Sequence, residues 1–438
     1  MLKKESFLRD LQYAKFSLYG ALKNLKFFDP FIILFFREAG LSFLEIGVLF
    51  SVREIANNIL EVPTGVIADA YGRKKAMIFS FSAYILSFLI FYFLPSFSMF
   101  MAAMILFATG EAFRSGTHKA MILEYLKIKG FLKYKVDYYG HTRGWSQAGS
   151  AISALIAALL VFYTGTYRVI FIASVIPYLL NMVLILTYPS VLDGEKEISE
   201  KVESVFKRSL KRISGTLGEF KGVFRNKYIF RAFINGSFFD AVFRAVKDYL
   251  QPVLKQYAVL LPIFVALEEP QKRTSLVIGV VYFLLFFLTS LSARSSGKIS
   301  TRLSLLSRAL NVTYLIGVIL TLLSGIFLIL QWYIPSIVLF VIFYMLENLK
   351  RPMNVGYFSD LFSNRVMATG FSVETQIKTI FMAVLAPIMG FLADNFGVGF
   401  GLMGMGILLF IAYPLAFLKE IEKTEEQEKD PPLQDRKE

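Results

Sequence analysis

The chain contains no cysteine and only two histidines. The first absence excludes a disulfide framework, a thiol nucleophile and a thiolate metal site. The second makes a His-based metal cluster a poor expectation. Charge is scarce too: Asp, Glu, Lys and Arg make up 18% of the residues, against roughly 25% in a soluble domain. Two tryptophans stand beside 45 phenylalanines, and 55% of the 438 residues are hydrophobic. That surplus excludes a disordered chain and is hard to keep in water. No Gly-rich phosphate loop with its lysine occurs, so ATP hydrolysis is not the expected motor.

What the sequence does have is a series of apolar runs. A spanning helix needs about 20 apolar residues, so twelve need about 240, a little over half the chain. Twelve are read near 16–36, 43–70, 75–95, 97–126, 136–163, 168–188, 228–256, 274–294, 305–330, 332–358, 367–394 and 397–418. They predict an all-α membrane protein with twelve transmembrane helices in two pseudo-symmetric six-helix bundles, residues 1–189 and 227–418. Residues 190–226 form a linker, and the charged tail 419–438 is expected to be disordered. Met1–Lys15 is polar and lacks a small-residue cleavage site, so no cleavable signal peptide is expected.

Lys and Arg divide the connections into two sets. Odd-numbered connections hold only Arg37, Arg168, Lys255, Lys272 and Arg273. The other side carries Lys3, Lys4, Arg9 and Lys15, then Arg73, Lys74 and Lys75, then Lys127, Lys129, Lys133 and Lys135, then Arg294, Lys298, Arg302 and Arg365. The positive-inside rule makes this basic face cytoplasmic, with both termini inside a cell membrane. The net charge of +14 is then topology rather than a nucleic-acid footprint. In the linker, Val202, Val205, Phe206, Leu210, Ile213, Leu217 and Phe220 share one helical face. An amphipathic linker helix accounts for them, and Lys207, Arg208, Lys211 and Arg212 would suit lipid headgroups.

Ionisable groups at membrane depth mark function unless paired. Span 1 carries Lys23, Lys26 and Asp29; span 2 carries Glu54, Asn57, Asn58 and Glu61. Span 4 carries Glu111, Arg114, Ser115 and His118; span 5 carries Asp137, His141 and Arg143. Span 7 carries Asp240, Arg244, Lys247 and Gln251; span 10 carries Glu347, Lys350, Arg351 and Asn354; span 11 carries Glu374 and Lys378. Spacings of three and four make each set one helical stripe. The cores of spans 3, 6, 9 and 12 carry no charge, and span 8 is also bare; spans 3, 6, 9 and 12 are expected to face lipid, while the striped spans surround a polar cavity. An ordinary reading competes at each stripe, since acid and base on one helix can neutralise each other and lock helices together. Stripes on seven spans are more than a static bundle needs.

The halves echo one another. Glu111 is followed by Glu124 and Glu347 by Asp360, 13 residues on in each case. Asp29-Pro30 in span 1 matches Gln251-Pro252 in span 7, where proline permits bending. Repeats about a midplane site are a transporter signature.

After span 2 the chain reads Gly65-Val-Ile-Ala-Asp69-Ala-Tyr-Gly72-Arg73-Lys74-Lys75. This resembles, at every defined position, the loop 2–3 motif G-x-x-x-D-x-x-G-R-[KR] of the major facilitator superfamily. Glu61-Val-Pro63-Thr64 and Gly390-Phe-Leu-Ala-Asp394-Asn-Phe-Gly397 also look like bacterial members. The second-half counterpart near Ser295–Arg302 is degenerate and lacks the acid, and span 5 lacks the Gly-Pro dipeptide of the drug antiporters. In the motif Gly65 allows close helix approach, Asp69 can cap a helix N-terminus, here that of span 11, Gly72 permits the turn and Arg73 can pair with an acid. The resemblance implies that this network latches the two halves on the cytoplasmic side, and that the halves rock about a central site.

The expected function is secondary active transport, by alternating access and coupled to protons, of a small anionic or zwitterionic solute. Proton coupling is expected of Asp29, Glu54, Glu61, Glu111 and Glu374. Substrate binding is expected of Lys23, Lys26, Arg114, Arg244, Lys247, Lys350 and Lys378, with Asn57, Asn58, Gln251 and Asn354 orienting polar groups. The expected partners are the solute, a proton and membrane lipid. No cofactor, metal or nucleic acid is expected, and the chain is taken as a monomer. The rivals are a proton-coupled exporter of amphipathic or cationic compounds and a non-transporting receptor on the same fold. A membrane-embedded lipid enzyme would need a compact catalytic set, which the sequence does not offer.

Overall fold

The computed structural model describes residues 9–193, 227–261, 269–302, 306–361 and 367–419; the linker face, most of the tail and Arg365 lie outside them. The first half comprises α1 (Leu11–Lys23), α2 (Ile32–Glu38), α3 (Phe43–Tyr71), α4 (Arg73–Phe93), α5 (Phe97–Arg114), α6 (Thr117–Ile128), α7 (Lys135–Thr164) and α8 (Val169–Leu186). The second comprises α9 (Lys227–Phe233), α10 (Phe239–Val246), α11 (Leu250–Leu260), α12 (Pro270–Arg302), α13 (Leu306–Ile329), α14 (Tyr333–Leu361), α15 (Met367–Phe396) and α16 (Val398–Ala416). Among the described residues nine helices are long and apolar enough to cross a membrane. Expected spans 1, 2 and 7 are not among them, because charge and irregular backbone are concentrated there.

Three spans read as continuous are broken. Span 1 ends at Lys23 and resumes at Ile32; Asn24 caps α1 through its backbone, and its side-chain amide donates to Gly20 O at 2.7 Å. Span 4 is interrupted between Arg114 and Thr117, where Gly116 takes φ +79°, a conformation that favours glycine. Span 7 contains a π-helical turn, Ile234–Phe238, and a 3-10 turn, Lys247–Tyr249. The second precedes Pro252, which has no N–H for the Asp248 carbonyl one turn back. Breaks in corresponding spans 1 and 7 fit the two-copy reading.

α4, α8, α13 and α16 leave Phe79, Leu86, Ile176, Val183, Ile319, Phe410 and Ile411 exposed. Two helix pairs join the halves. α7 meets α12 where a Cβ at Gly279 would strike Ala158, and Ser290 Oγ donates to Gln147 Oε1 at 2.6 Å. α3 runs antiparallel to α15, with Gly47 against the backbone of Ala386 and Pro387, Gly390 against that of Phe43 and Leu44, and Ser51 Oγ donating to Ala383 O at 3.0 Å. Small residues let these backbones approach closely. Gly65, expected to serve such an approach, has no described residue within 4 Å of where a Cβ would lie.

Candidate functional site

Irregular backbone at membrane depth is tolerated where it lines a cavity. Here the break of span 1 faces the break of span 4 across a cavity of about 810 Å³. Its walls are Phe16, Tyr19, Gly20, Lys23 and Asn24, then Arg114, Ser115, Gly116, His118, Lys119 and Ile122, then Lys135, Tyr139, Thr142, Arg143 and Ser146 of α7, with Arg351 reaching in from the second half. It extends from Lys23 and Asn24 to Lys119 and Lys135, at the start of α7 on the basic face. Lys23, Arg114, Lys119, Lys135, Arg143 and Arg351 line it, and among the described residues no carboxylate does.

The carboxylate nearest this wall is already engaged. Glu111 pairs with Arg114 one turn on and accepts from Tyr84 Oη at 2.5 Å, while Arg114 Nε lies 3.4 Å from the same hydroxyl. Lys23 and Lys26 also lie within electrostatic range of Glu111, so three cations surround one acid. Lys23 has no hydrogen bond or ion pair to a described residue, although Glu111 and Asp29 attract it. His118 stacks on Tyr19 at 3.6 Å between ring centroids, and its Nε2 lies 3.3 Å from Tyr188 Oη. That environment makes it a packed helix–helix contact. Glu61 accepts from Ser115 Oγ at 2.9 Å and so holds the span 4 break against α3. Asn57 keeps a buried Oδ1 without a partner, and Asn58 is half-buried beside it.

A second cluster ties the halves together. Arg244 of α10 donates to Asp240 at 3.0 Å and reaches Glu54 of α3 at 3.4 Å, and Glu54 also pairs with Arg53. Lys378 of α15 pairs with Glu374 at 2.7 Å and with Asp240 at 3.7 Å. Glu347 of α14 is buried in the electrostatic range of Asp240, and its Oε2 has no hydrogen-bond partner among the described residues. Lys247 pairs with its neighbour Asp248 at 2.6 Å.

Three residues expected to bind substrate are held elsewhere. Lys350 is fully buried, donates to Asn235 O at 3.0 Å and Oδ1 at 2.5 Å, and sits over the Phe239 ring. Gln251 accepts from Ile33 N at 2.8 Å and donates to Asp29 O at 2.9 Å, so its amide pins the break of span 1 to α11. Asn354 packs on Gly236 in the π-helical turn. Helical spacing puts these groups on polar stripes but does not say which neighbour each stripe meets.

Around the loop 2–3 motif, Asp69 is 71% exposed and lies 3.9 Å from Arg73, which reaches Glu124 at 3.8 Å. Gly72 takes φ +103°. Lys74, read as a topogenic charge, has a structural role: its Nζ donates to Leu186 O at 2.6 Å and Tyr188 O at 3.0 Å, at the end of α8. Asp193 accepts from Lys74 N at 2.7 Å and caps α4. Lys74→Met is expected to cost about 2 kcal/mol, the scale of a charge-assisted hydrogen bond. Lys75→Met, at an exposed site, is expected to leave thermal stability in detergent unchanged. Equal losses in the two variants would contradict the cap.

Sequence reasoning did not single out Lys119, Lys135, Arg143 or Arg351 as site residues. Arg143 and Arg351 stood on recognised stripes. Lys119 went unremarked, and Lys135 was counted only as a loop charge.

The comparisons agree with this architecture. The family model of the Major Facilitator Superfamily matches residues 22–374. An uncharacterized MFS-type transporter, YxaM of Bacillus subtilis (strain 168), is 24% identical over 425 residues, covering 94% of this chain and 96% of that protein. The crystal structure of a mutant of the nucleoside transporter NupG superposes with a TM-score of 0.72 at 12% identity, covering 92% and 99% of the two chains. A bacterial homologue of the human lysosomal transporter Spinster, in an inward-facing and occupied conformation, gives 0.67 at 14% identity over 94% and 97%. At such identity the structures speak for the fold alone. The chain is a multi-pass membrane transporter that belongs to the major facilitator superfamily.

Proposed function

We propose that this transporter moves a small anionic or zwitterionic solute by alternating access, driven by a proton gradient. The observation that carries the reading is the cavity wall: six cationic side chains and, among the described residues, no carboxylate. A low-dielectric cleft lined by one sign of charge concentrates the opposite sign. Lys23, unpaired at the break of span 1, and Arg114, one turn from its own counter-ion, are the anchors; Asn24 and Ser146 supply polar contacts. The amphipathic-cation alternative would need acids facing the cavity, and Glu111 is turned to Tyr84 instead. That the cavity extends to the basic face supports reading this as an inward-open arrangement.

For coupling, a proton must change a contact that differs between states. Glu54–Arg244 joins the two halves, and Asp29, Glu61, Glu111 and Glu374 lie at breaks or in ion pairs that rocking would remake. Protonating one partner of such a pair removes its charge and weakens the link.

Purified protein in detergent is expected to be stabilised against heat by small organic anions or zwitterions and not by lipophilic cations, since a ligand that binds only the folded state raises the apparent Tm. Counterflow of the stabilising solute in proteoliposomes then separates a carrier from a receptor. Stabilisation by lipophilic cations alone would overturn the substrate class, and binding without counterflow would overturn transport of that solute.

A further inference from the structure

The cations of the cavity wall do not sit together. Lys23 ends α1, and Phe16, Tyr19 and Gly20 precede it on the way back to the basic face. α7 starts at that face and runs alongside α1. Tyr13 packs edge-on against Tyr138, a Cβ at Gly20 would strike Ser146 Oγ, and one at Gly149 would strike the Ala21 carbonyl. This register sets Lys23 level with the residues just past Gly149. Arg143 lies about two turns nearer the basic face, a separation of roughly 10 Å at the helical rise. Lys119 stands with Tyr139, whose hydroxyl donates to its carbonyl at 2.8 Å, and Lys135 begins the helix one turn further out. The wall therefore has an inner and an outer cationic pole.

The two poles differ in what already neutralises them. At the inner pole Lys23, Lys26 and Arg114 share Glu111 and Asp29, three cations against two acids, which leaves room for one negative charge. Tyr19 adds a buried hydroxyl beside Arg114 that completes no hydrogen bond among the described residues. At the outer pole Lys119, Lys135 and Arg143 line the cavity without an ion pair to a described residue. Between the poles the wall is made of rings. Tyr19 stacks on His118 at 3.6 Å, and Phe16 meets His118 edge-on at 5.5 Å. A zwitterion would turn its ammonium toward one of two cationic poles, and a monoanion would satisfy only one of them.

We propose that the solute is an elongated organic dianion, with one anionic group on Lys23 and Arg114, a second on Arg143 and Lys119, and an apolar or planar middle along Phe16, Tyr19 and His118. This rests on the anionic-solute reading above and removes the zwitterion from it. Each pole concentrates negative charge, and the spacing between them selects length. Carboxylate and phosphate ends share this chemistry.

The test uses the full chain, by thermal-shift titration in detergent and by counterflow in proteoliposomes. The probes are succinate, adipate, suberate and sebacate, with monomethyl suberate and ω-aminooctanoate as singly charged and zwitterionic partners of suberate. Suberate is expected to act at about tenfold lower concentration than either partner, the scale of one added charge-assisted contact, and succinate is expected to be too short. Arg143→Gln/Lys119→Gln is expected to reduce the preference for suberate over its monomethyl ester about tenfold. Lys23→Met is expected to weaken both probes and keep the preference. Because the preference is a ratio measured on one protein, a partly misfolded variant does not shift it. Stronger stabilisation by ω-phosphonoheptanoate than by suberate would support the same two poles with a phosphate end, and the reverse order a carboxylate end. Equal affinity for suberate and its monomethyl ester, for suberate and ω-aminooctanoate, or for suberate and succinate would overturn the dianion and leave the anionic-solute reading standing. So would a preference that survives Arg143→Gln/Lys119→Gln. A response to lipophilic cations and to no anion of the series would overturn both.

Discussion

Arg114→Gln is expected to lower solute counterflow by about 100-fold, the effect of losing a contact near 3 kcal/mol to a charged ligand. It is also expected to destabilise the protein by about 1.5–3 kcal/mol, because the half-buried Glu111 loses its ion pair and is left with Tyr84 and the more distant Lys23 and Lys26. These two effects can be separated. Glu111→Gln/Arg114→Gln removes the orphaned charge and is expected to recover most of the thermal stability. Transport stays low in the double variant if Arg114 holds the solute, and returns if Arg114 only neutralises Glu111. Measuring melting and counterflow on all four proteins gives a coupling energy for the pair, and full recovery of flux in the double variant would remove Arg114 from the binding site.

The second large effect is expected well away from the cavity. Asn235→Leu takes the Oδ1 acceptor from the fully buried Lys350 and leaves one carbonyl, the rings of Phe239 and Tyr314, and the charges of Glu347 and Asp240. A hydrogen bond lost to a buried ammonium costs about 1.5–3 kcal/mol, and the Ala416 carbonyl loses its Asn235 donor as well, so the monodisperse peak in detergent is expected to shrink markedly. Lys350→Met in the same background replaces the charge with a side chain of similar volume and is expected to restore folding. Lys350→Met alone should leave the concentration dependence of transport unchanged, which separates it from the cavity lysine at position 23. A raised half-saturation for Lys350→Met at normal stability would return Lys350 to the substrate site.

Much of this molecule follows from local rules. Apolar runs define membrane helices because lipid offers no hydrogen bonds to a broken backbone. The absence of charge from spans 3, 6, 9 and 12 was legible without coordinates, and each leaves apolar side chains exposed; span 8, equally bare, packs instead against span 5 between the halves. Gly72 was legible because a turn after a helix needs its glycine; Asp69, expected to cap span 11, is instead largely exposed beside Arg73. The polar stripes were legible too, because 3.6 residues per turn puts Asp240 and Arg244, or Glu374 and Lys378, on one face.

Which stripe meets which is a matter of helix packing, and sequence spacing contains no information on it. Lys350 and Lys23 look alike in the chain, each a lysine near acids in an apolar run. One is closed between α14 and the π-helical turn and the other faces a cavity. Gln251 reads as a polar group free to orient a solute, yet the break of span 1 supplies both of its partners from more than 200 residues away. Composition and spacing by themselves determined that the chain spans a membrane and where its charges sit along each helix, and the Gly65–Lys75 motif carried the family resemblance. The tertiary structure alone decided which charges cancel and which face the cavity, because each of those depends on a neighbour distant in the chain.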